Sequence, residues 1–339
     1  MEEWWIMIKL SKETQLIIEK LNSCGFKAYI VGGCVRDYLM GLTPSDIDIT
    51  TNAKPEETKE VFSDFRVIET GIKHGTVSVL VNGSQFEVTT FRIDSEYSDN
   101  RHPDSVSFTS NIEEDLARRD FTMNAIAYNE QEGFIDPFGG MEDIKNRIIR
   151  CVGKPDKRFN EDALRILRAL RFSSVTGFDI EENTKKALYE NKELLKNISV
   201  ERIFQELIKL LCGDNVRKVL LEYVDVLGVV IPELMPMKGF EQKNPYHAYD
   251  VLAHTAIVVE SIEKKPYLRL AALFHDLGKP HTFSLGEDNI GHFYGHAKLS
   301  TQMAIDILKR LKADNTTIAK VERFVRYHDT PIENDDVII

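Results

Sequence analysis

The sequence predicts a multidomain α+β protein in which a mixed sheet with helices is followed by all-helical domains. Residues 28–91 alternate short apolar segments with Gly and Asn-Gly turns, which is typical of strands and hairpins. From about Arg158 onward the apolar residues recur at helical spacing, and seven of the nine histidines lie between His247 and His328. These three patterns predict three domains, at residues 1–150, 151–240 and 241–339.

The first domain is predicted to begin with a helix over residues 11–24, with Ser11 as its N-cap and Gly25 as its stop. The stretch KAYIV then predicts a strand, and Gly32-Gly33 predicts a turn into the helix CVRDYLMG. The remaining elements are the strand SDIDIT, a helix opening at Pro55, and the strands FRVIET, GTVSVLV and QFEVTTFR with a hairpin turn at Asn82-Gly83. Helices of the second domain are predicted in DALRILRALRF, NTKKALYENKELL and ERIFQELIKLL.

Composition excludes several classes of protein. No apolar run in the 339 residues approaches the ~18 to 20 residues of a membrane span, and the N-terminus lacks a signal-peptide pattern, so we expect a cytoplasmic protein. The four cysteines form no CxxC pair and are predicted to be reduced. A net charge of −11 argues against indiscriminate nucleic-acid binding, whereas the basic residues between Lys145 and Arg171 predict a local surface for a polyanion.

Two aspartates interrupt the apolar pattern of the predicted strand SDIDIT. Strand side chains alternate between faces, so we expect Asp46 and Asp48 about 7 Å apart on one face, with Ile47 and Ile49 buried on the other. Like charges this close disfavour each other's ionised form unless a cation lies between them. The pair therefore predicts a divalent metal site.

The turn before this strand predicts a binding place for an anion. Gly32 and Gly33 at a strand-to-helix turn let backbone amides approach a phosphate, and the following helix carries Arg36. A glycine pair alone is weakly specific, but aspartates on the next strand would face the same cleft. Glu87, on a later strand, fits a third metal-binding carboxylate and a solvent-facing residue equally well.

Five motifs in order resemble the class II tRNA nucleotidyltransferases (CCA-adding enzymes) and their relatives the bacterial poly(A) polymerases, within the DNA polymerase beta superfamily. The motifs are GGCVRD with DID, TTFRIDSEYSDNRHPDSVSF, DLARRDFTMNAIAYN, IDPFGGMEDIKNRIIR and FNEDALRILRALRF. The resemblance implies a polymerase-beta-like catalytic head in which Asp46 and Asp48 hold two Mg²⁺ ions, and Glu87 is the candidate for a third catalytic carboxylate. The nucleotide-binding residues that it implies are Gly32, Gly33, Arg36, Arg118, Arg119, Asp120, Asn124, Asp162, Arg165 and Arg168.

The resemblance also implies that EDALR, Glu161 to Arg165, is an amino-acid template that selects the incoming base. On a single helix Asp162 and Arg165 would share a face at i and i+3, with Glu161 beside them. Aspartate accepts from the exocyclic amine of cytosine and adenine, and arginine donates to a ring nitrogen or carbonyl. Outside such a motif, an Asp-Arg pair at this spacing is usually a surface ion pair.

Two further segments carry expectations from the same resemblance. The polar stretch from Arg92 to Thr109 is predicted to be a mobile loop between strands that helps the change from C to A addition, or else an ordinary surface excursion. The segment DPFGG, with Asp136, Gly139 and Gly140, resembles a hinge between catalytic and template domains, although a tight turn explains its glycines equally well.

The histidine-rich third domain resembles the HD superfamily of metal-dependent phosphohydrolases. The matching segments are HAYDVLAHT, LAALFHDLGKP, GHFYGHAKLS and VRYHDT. The candidate ligands are His254, His275, Asp276, His296, His328 and Asp329. Imidazole and carboxylate groups suit nickel, manganese or zinc, so the pattern predicts a transition-metal site, either catalytic or structural.

The resulting hypothesis is a tRNA nucleotidyltransferase that adds or repairs the 3′-terminal CCA of tRNA from CTP and ATP without a nucleic-acid template. An A-adding enzyme or a poly(A) polymerase is the alternative within the family. An HD-type phosphohydrolase acting on RNA ends and an inactive RNA-binding protein are the alternatives from other classes. The end NDDVII predicts a third domain that is cut short at its C-terminus, and the sequence leaves monomer and homodimer open.

Overall fold

The computed structural model describes residues 8–69, 71–72, 75–94, 105–245, 248–287 and 289–330. The chain forms two compact units. Unit 1 comprises Met1–Asp162 and Asp179–Leu188, and unit 2 comprises Ala163–Phe178 and Tyr189–Ile339. The domain boundaries at residues 150 and 240 stay predictions.

The elements up to residue 162 alternate between strands and short helices. The helices are α1 Lys12–Ser23, α2 Gly33–Leu39, α3 Pro55–Val61, α4 Ile112–Ala117, α5 Gly140–Lys145 and α6 Pro155–Glu161. The strands are β1 Ala28–Val31, β2 Asp48–Thr51, β3 Arg66–Ile68, β4 Thr76–Val81, β5 Ser84–Thr90, β6 Arg92–Asp94, β7 Val106–Phe108, β8 Ala127–Asn129, β9 Gly133–Ile135 and β10 Ile148–Ile149.

A seven-stranded mixed sheet forms the centre of unit 1, in the order β3, β4, β5, β2, β1, β8, β9. β2 and β5 run parallel, and the other neighbouring strands of this sheet run antiparallel. Every residue of β1 is buried, and Tyr29 and Val31 pack in one core cluster with Phe91 and Leu116. β2 lies next to this buried strand, with β5 on its other side, and is therefore the central strand of the sheet.

The local predictions for the start of unit 1 and for its hairpin are confirmed. Ser11 caps α1, because its Oγ accepts a hydrogen bond from the backbone N–H of Thr14 at 3.1 Å. Asn82 and Gly83 have φ values of 50° and 85°, and positive φ at both positions is what a two-residue hairpin turn requires. The turn sets the register in which β4 and β5 pair.

The strand that carries the two aspartates is shorter than predicted. β2 begins at Asp48, so Asp46 precedes the strand, and the predicted alternation through Asp46 is wrong. The chain turns from β1 into α2 at Gly32, where φ is 82°, and this leaves no antiparallel partner for the residues ahead of Asp48. Both carboxylates are exposed, Ile49 is buried and Ile47 is half-buried.

The polar segment from Arg92 to Thr109 is not a loop throughout. Its two ends pair as a two-stranded antiparallel ribbon of β6 and β7, with Arg92 opposite Phe108. The backbone N–H of Arg92 also donates to Asp115 at 3.3 Å, which ties the ribbon to α4. Residues 95–104 lie outside the described residues, and the role of the segment in switching between C and A stays a prediction.

The elements after residue 162 are mainly helical, as predicted. The helices are α7 Leu164–Thr176, α8 Glu182–Glu190, α9 Val200–Leu211, α10 Val216–Glu222, α11 Val224–Val230, α12 Val251–Ser261, α13 Pro266–Phe274, α14 Lys279–Thr282, α15 His296–Arg310 and α16 Asn315–Tyr327. The strands are β11 Asp179–Ile180, β12 Ser284–Leu285 and β13 Gly291–His292. Within unit 2, α7 packs on α9, and α16 packs on α13 and α15. No helix in the described part of the chain is both long and apolar enough to cross a membrane.

The predicted template helix is broken. α6 ends at Glu161, Asp162 is extended (φ −140°, ψ 102°), and α7 begins at Leu164. Asp162 and Arg165 therefore do not share one helix face at i and i+3, and that prediction is wrong. α6 belongs to unit 1 and α7 to unit 2, so the break lies where the chain passes from one unit to the other, and the apolar periodicity does not reveal it.

Candidate functional site

Two exposed carboxylates face each other where β2 and β5 run side by side. The parallel register places Asp48 directly opposite Glu87. Adjacent strands lie about 4.8 Å apart, so the two side chains are neighbours. Phe86 and Val88, on either side of Glu87, are buried. Glu87 therefore lies on the exposed face of the sheet, as Asp48 does. This register agrees with a ligand role for Glu87, which stays a prediction.

Asp46 lies just ahead of β2 and acts on Asp48 through its charge. Although Asp48 is exposed at the surface, partial desolvation by the surrounding protein raises the pKa of its carboxyl. The charge of Arg119 lowers this pKa and that of Asp46 raises it, and the net direction is upward. The Asp46 carboxylate accepts a hydrogen bond from Ser45 Oγ at 3.0 Å. We call Asp46, Asp48 and Glu87 the carboxylate cluster. Its oxygens form a ligand set of the kind that hard divalent cations prefer.

Gly32 allows an arginine to approach the turn between β1 and α2. A Cβ at this position would lie 2.8 Å from Nη1 of Arg119, and the φ of 82° also favours glycine. The backbone N–H of Gly32 donates to the carbonyl of Ile126 at 3.2 Å, so this amide is engaged inside the fold. The role of Gly32 in the structure is therefore steric. Its amide is not available for a phosphate, so the two glycine amides do not together form a phosphate-binding turn.

A chain of hydrogen bonds holds the next predicted nucleotide-binding residues together. Asp120 Oδ1 accepts a hydrogen bond from Nδ2 of Asn124 at 3.0 Å, and the side-chain Oδ1 of Asn124 accepts one from Nη1 of Arg36 at 2.7 Å. Arg36 also donates through Nε and Nη2 to Asp37 at 2.9 and 2.7 Å. The guanidinium of Arg36 is therefore held in a fixed orientation next to Gly33.

Asp115, which the sequence reasoning missed, positions both arginines of the RRD motif. Its Oδ1 accepts from Nε and Nη2 of Arg118 at 3.0 and 2.8 Å, and its Oδ2 from Nη2 of Arg119 at 3.4 Å. Burial raises the pKa of this fully buried carboxyl, but the charges of Arg118 and Arg119 outweigh burial, and the pKa is lowered. The available signal was an aspartate three and four residues before two arginines in DLARRD.

The DPFGG segment forms the start of α5. Both oxygens of Asp136 cap the helix by accepting from the backbone N–H groups of Gly140 and Met141 at 2.7 and 2.8 Å. Gly139 has a φ of 71°, and a Cβ on Gly140 would lie 2.2 Å from the carbonyl oxygen of Thr122. The tight turn and this close approach account for both glycines, and the hinge stays a prediction.

The residues of the predicted template occupy different local settings. In unit 1, Glu161 accepts a hydrogen bond from Nη1 of Arg158 on the same helix, α6. Asp162, the extended residue that follows α6, is half-buried. In unit 2, Arg165 is buried on α7, and the guanidinium of Arg168 lies 5.4 Å from the ring centroid of Phe172. Their role in base selection stays a prediction.

Unit 2 brings five of the predicted metal ligands together around one buried carboxylate. Asp276 is 1% exposed. Its carboxylate oxygens lie 3.1, 3.5, 3.6 and 3.7 Å from Nε2 of His275, His296, His328 and His254, respectively. These residues form two groups that share Asp276, one with His254 and His275 and one with His296 and His328. We call the five the histidine–aspartate cluster.

Backbone carbonyls orient three of these histidines. Nδ1 of His275, His296 and His328 lies 2.7, 2.9 and 2.7 Å from the carbonyl oxygen three residues earlier. A carbonyl only accepts, so Nδ1 carries a proton, and Nε2, which faces the aspartate, is the ring nitrogen that a metal would bind, as in histidine ligands of metals. Burial lowers the pKa of His296, which favours the neutral, metal-binding form.

Lys279 was missed by the sequence reasoning, although it follows the HD pair in HDLGK. Its buried Nζ lies 2.8 Å from Asp276 and 2.9 Å from Gln242 Oε1. A cavity of about 460 Å³ is lined by Lys279, by Asp329 and by the whole histidine–aspartate cluster. Asp329 is exposed and belongs to neither ligand group among the described residues, so its role as a ligand stays a prediction.

The mixed sheet with its carboxylate cluster, together with a separate histidine–aspartate cluster, defines a polymerase-beta-type nucleotidyltransferase head followed by an HD-type helical region. The chain matches three protein families that agree with this division. Residues 28–150 match the Poly A polymerase head domain, residues 177–238 match the probable RNA and SrmB-binding site of polymerase A, and residues 246–337 match the HD domain.

The chain belongs to the family of CCA-adding enzymes, so the resemblance is confirmed. It is 34% identical to the Bacillus stearothermophilus CCA-adding enzyme solved in complex with CTP, over 93% of this chain and 77% of that one, with a TM-score of 0.62. It is 45% identical over 74% of its length to the Lactobacillus helveticus CCA-adding enzyme, and 51% identical over 65% to that of Lactobacillus delbrueckii. The chain spans 64% and 54% of the lengths of these two relatives.

Proposed function

We propose that this chain transfers nucleotides from CTP and ATP to the 3′ end of a tRNA and so builds or repairs its terminal CCA. The register that sets Asp48 opposite Glu87, with Asp46 ahead of the strand, carries the proposal. The RNA 3′-hydroxyl oxygen attacks the α-phosphorus, and its proton leaves to solvent. The bond from that phosphorus to the bridging oxygen breaks, and pyrophosphate departs. The proposed compartment is the cytoplasm, for a monomer or a homodimer.

The carboxylate cluster fits Mg²⁺. Asp46, Asp48 and Glu87 offer oxygen ligands, and the pKa of Asp48 is raised mainly by desolvation and to a lesser extent by the charge of Asp46, which a bound cation would offset. Asp46, Asp48 and Glu87 would hold the ions. When bound, two Mg²⁺ ions supply a lower pKa for the attacking hydroxyl and neutralise the charge of the triphosphate.

The arginines beside the cluster are proposed to bind and orient the triphosphate and the ribose. Arg119 lies against Gly32, so its planar guanidinium is available next to the turn for a phosphate. Arg36 is held rigidly by Asn124 and Asp37, which lowers the entropy lost when it binds an anion. Arg118 and Asp120 are proposed to contact phosphate and ribose hydroxyls, since guanidinium groups suit the former and carboxylates the latter.

Asp162 and Arg165 are proposed to select the base, with Arg168 beside them in the motif. An extended backbone at Asp162 supports this role, because it frees the side chain from a helix face. We expect Asp162→Ala to relax the choice among nucleotides more than it weakens triphosphate binding. Asp156→Ala, on the exposed side of α6, is the control. Unchanged selectivity in Asp162→Ala would contradict the assignment.

The direct test supplies the full chain with Mg²⁺, radiolabelled CTP and ATP, and a tRNA transcript that lacks CCA. We expect an extension of three nucleotides. Failure to incorporate either nucleotide contradicts the proposal. Addition of A alone identifies an A-adding enzyme or a poly(A) polymerase instead.

The histidine–aspartate cluster favours a second function, which is the hydrolysis of phosphate esters. Imidazole Nε2 atoms around one carboxylate fit nickel, manganese or zinc, and such a metal when bound would supply a Lewis acid and an acidified water. In the reaction a water oxygen attacks phosphorus, the ester P–O bond breaks, and the leaving alcohol takes the proton. Lys279 places a positive charge beside the cluster, where a phosphate would gain from it.

Hydrolysis is tested by the release of inorganic phosphate from nucleoside monophosphates in the presence of manganese. We expect Asp276→Asn to abolish the release, and the exposed Asp306→Asn on α15 to retain it. Equal release by both variants would show that the activity does not arise at this cluster.

A further inference from the structure

An aromatic pair, one exposed tyrosine and one half-buried histidine, lines the cavity of the histidine–aspartate cluster, and the hydrolysis proposed above does not use it. The ring of Tyr294 is parallel to that of His292, with centroids 5.3 Å apart and an interplanar angle of 9°. Tyr294 is 77% exposed. Both residues line the 460 Å³ cavity together with all five members of the cluster.

The local chain geometry ties this pair to a predicted metal ligand. His292 ends β13, Tyr294 follows two residues later, and His296 begins α15 after another two. Phe293 lies between these two residues in the sequence. Its ring packs against that of Phe283, with 5.7 Å between centroids, and its ring centroid lies 5.4 Å from Nζ of Lys279. The pair is therefore anchored through Phe293 and His296.

A single exposed tyrosine is common on protein surfaces and by itself indicates nothing. Tyr294 differs because a second ring covers part of one face and leaves the other face open, on the wall of a cavity with phosphate-handling chemistry. Nucleobases stack on exposed aromatic faces of this kind. The cavity of about 460 Å³ also lies within the range of about 300 to 1,000 Å³ typical of sites for small organic ligands.

We infer that Tyr294, backed by His292, is a platform on which the base of a nucleotide stacks while its phosphate ester lies at the histidine–aspartate cluster. The site therefore takes nucleotides, free or at the end of an RNA, in preference to phosphate esters without a base. Stacking is tolerant of base identity, so discrimination among the four bases is weak. The inference rests on the hydrolysis proposed for unit 2.

The kinetic test compares adenosine 5′-monophosphate with ribose 5-phosphate, which carries the same phosphate ester without the base. Both are supplied to the manganese-loaded full chain, and the quantity measured is the ratio of their kcat/KM values. We expect Tyr294→Ala to lower this ratio about tenfold, through KM of the nucleotide, because the base loses its stacking contact with the aromatic ring. Tyr294→Phe keeps the ring and the ratio.

Tyr249→Ala is the matched control, because Tyr249 is 52% exposed in the same unit and does not line the cavity. Its ratio is expected to stay within about twofold of the unmodified chain, since no base contact is lost. An unchanged ratio in Tyr294→Ala overturns the inference.

A readout without turnover separates this inference from the hydrolysis. In zinc-loaded protein labelled with 3-fluorotyrosine, Tyr294→Phe removes one ¹⁹F resonance and so assigns it. We expect adenosine monophosphate to shift that resonance and ribose 5-phosphate to leave it in place. A shift without phosphate release contradicts the hydrolysis and retains the platform, whereas release with no shift contradicts the platform. A larger shift with a short RNA ending in a 3′-phosphate identifies an RNA end as the ligand.

Discussion

The exposed carboxylates on β2 and β5 can be changed without disturbing the core, because the buried neighbours Val88 and Ile49 carry the packing. We expect Glu87→Gln to lower kcat/KM for CTP incorporation by about 10²-fold or more, since charge stabilisation at such a site is worth several kcal/mol. The control is Glu60→Gln, an exposed carboxylate on α3. Full activity of Glu87→Gln in the labelled-nucleotide assay would restore the alternative of a solvent-facing residue.

Gly32 offers a second test at the residue scale, with Gly41 as its matched control. Both have strongly positive φ, 82° and 73°, but only Gly32 has a neighbour, Arg119, where a Cβ would lie. Alanine at either position costs about 1 to 3 kcal/mol of stability, because side chains rarely adopt positive φ, and Gly32 has in addition a ψ of −130° that is almost confined to glycine. We expect lower melting temperatures in both Gly32→Ala and Gly41→Ala, with loss of nucleotide transfer in Gly32→Ala alone. Equal activity of the two variants would remove Arg119 from the site.

At the scale of elements, α4 holds both arginines of its C-terminal end through the buried Asp115. The pKa of the Asp115 carboxyl is lowered in the folded protein. The stabilising effect of Asp115 is therefore present above the unfolded-state pKa of about 3.9, and it is lost as the pH falls through the pKa of the folded state. We expect Asp115→Asn to cost about 3 to 5 kcal/mol at pH 7, since a buried ion pair is broken. The cost measured by urea unfolding should shrink below about pH 4. Glu113→Gln, exposed on α4, is the control, and a cost independent of pH would contradict this role of Asp115.

The sequence predicted most elements but misplaced two boundaries at the site. The N-cap at Ser11 and the hairpin at Asn82 were predictable, because a capping hydroxyl and an Asn-Gly turn act over three or four residues. The start of β2 at Asp48 depends on where the pairing of β1 with β2 ends, and the break at Asp162 lies where the chain passes from unit 1 to unit 2. Both are set by tertiary packing, which a local pattern does not contain.

Across the whole molecule, ligand types were easier to predict from the sequence than the residues that hold them. The carboxylates of unit 1 and the histidines of unit 2 stand out by type and spacing, and the structure brings five of the latter together. Asp115 and Lys279 were missed, since a charged residue in a helix usually faces solvent, and only burial shows that these two face inward. The sequence pattern alone does not show which charged residues are buried and paired inside the fold.

The two clusters differ in chemistry, oxygen ligands in unit 1 and imidazole with carboxylate in unit 2, so different ligands should protect different parts of one chain. In hydrogen-exchange mass spectrometry we expect CTP with Mg²⁺ to slow amide exchange in β2 and β5, and zinc to slow it in α13 and at the start of α15. At a ligand concentration 100 times its Kd, exchange through local opening should slow by up to about 100-fold, the equivalent of about 2.7 kcal/mol.

Variants of the full chain make this prediction specific to each cluster. Asp276→Asn should lose the protection by zinc and keep that by CTP, because it removes the carboxylate shared by both ligand groups. Asp48→Asn should show the reverse. Asp306→Asn should keep both, because Asp306 is exposed on α15 and lies outside the two groups. Protection of β2 and β5 by zinc, or of α13 by CTP with Mg²⁺, would show that the clusters do not have the separate metal preferences that their donor atoms imply.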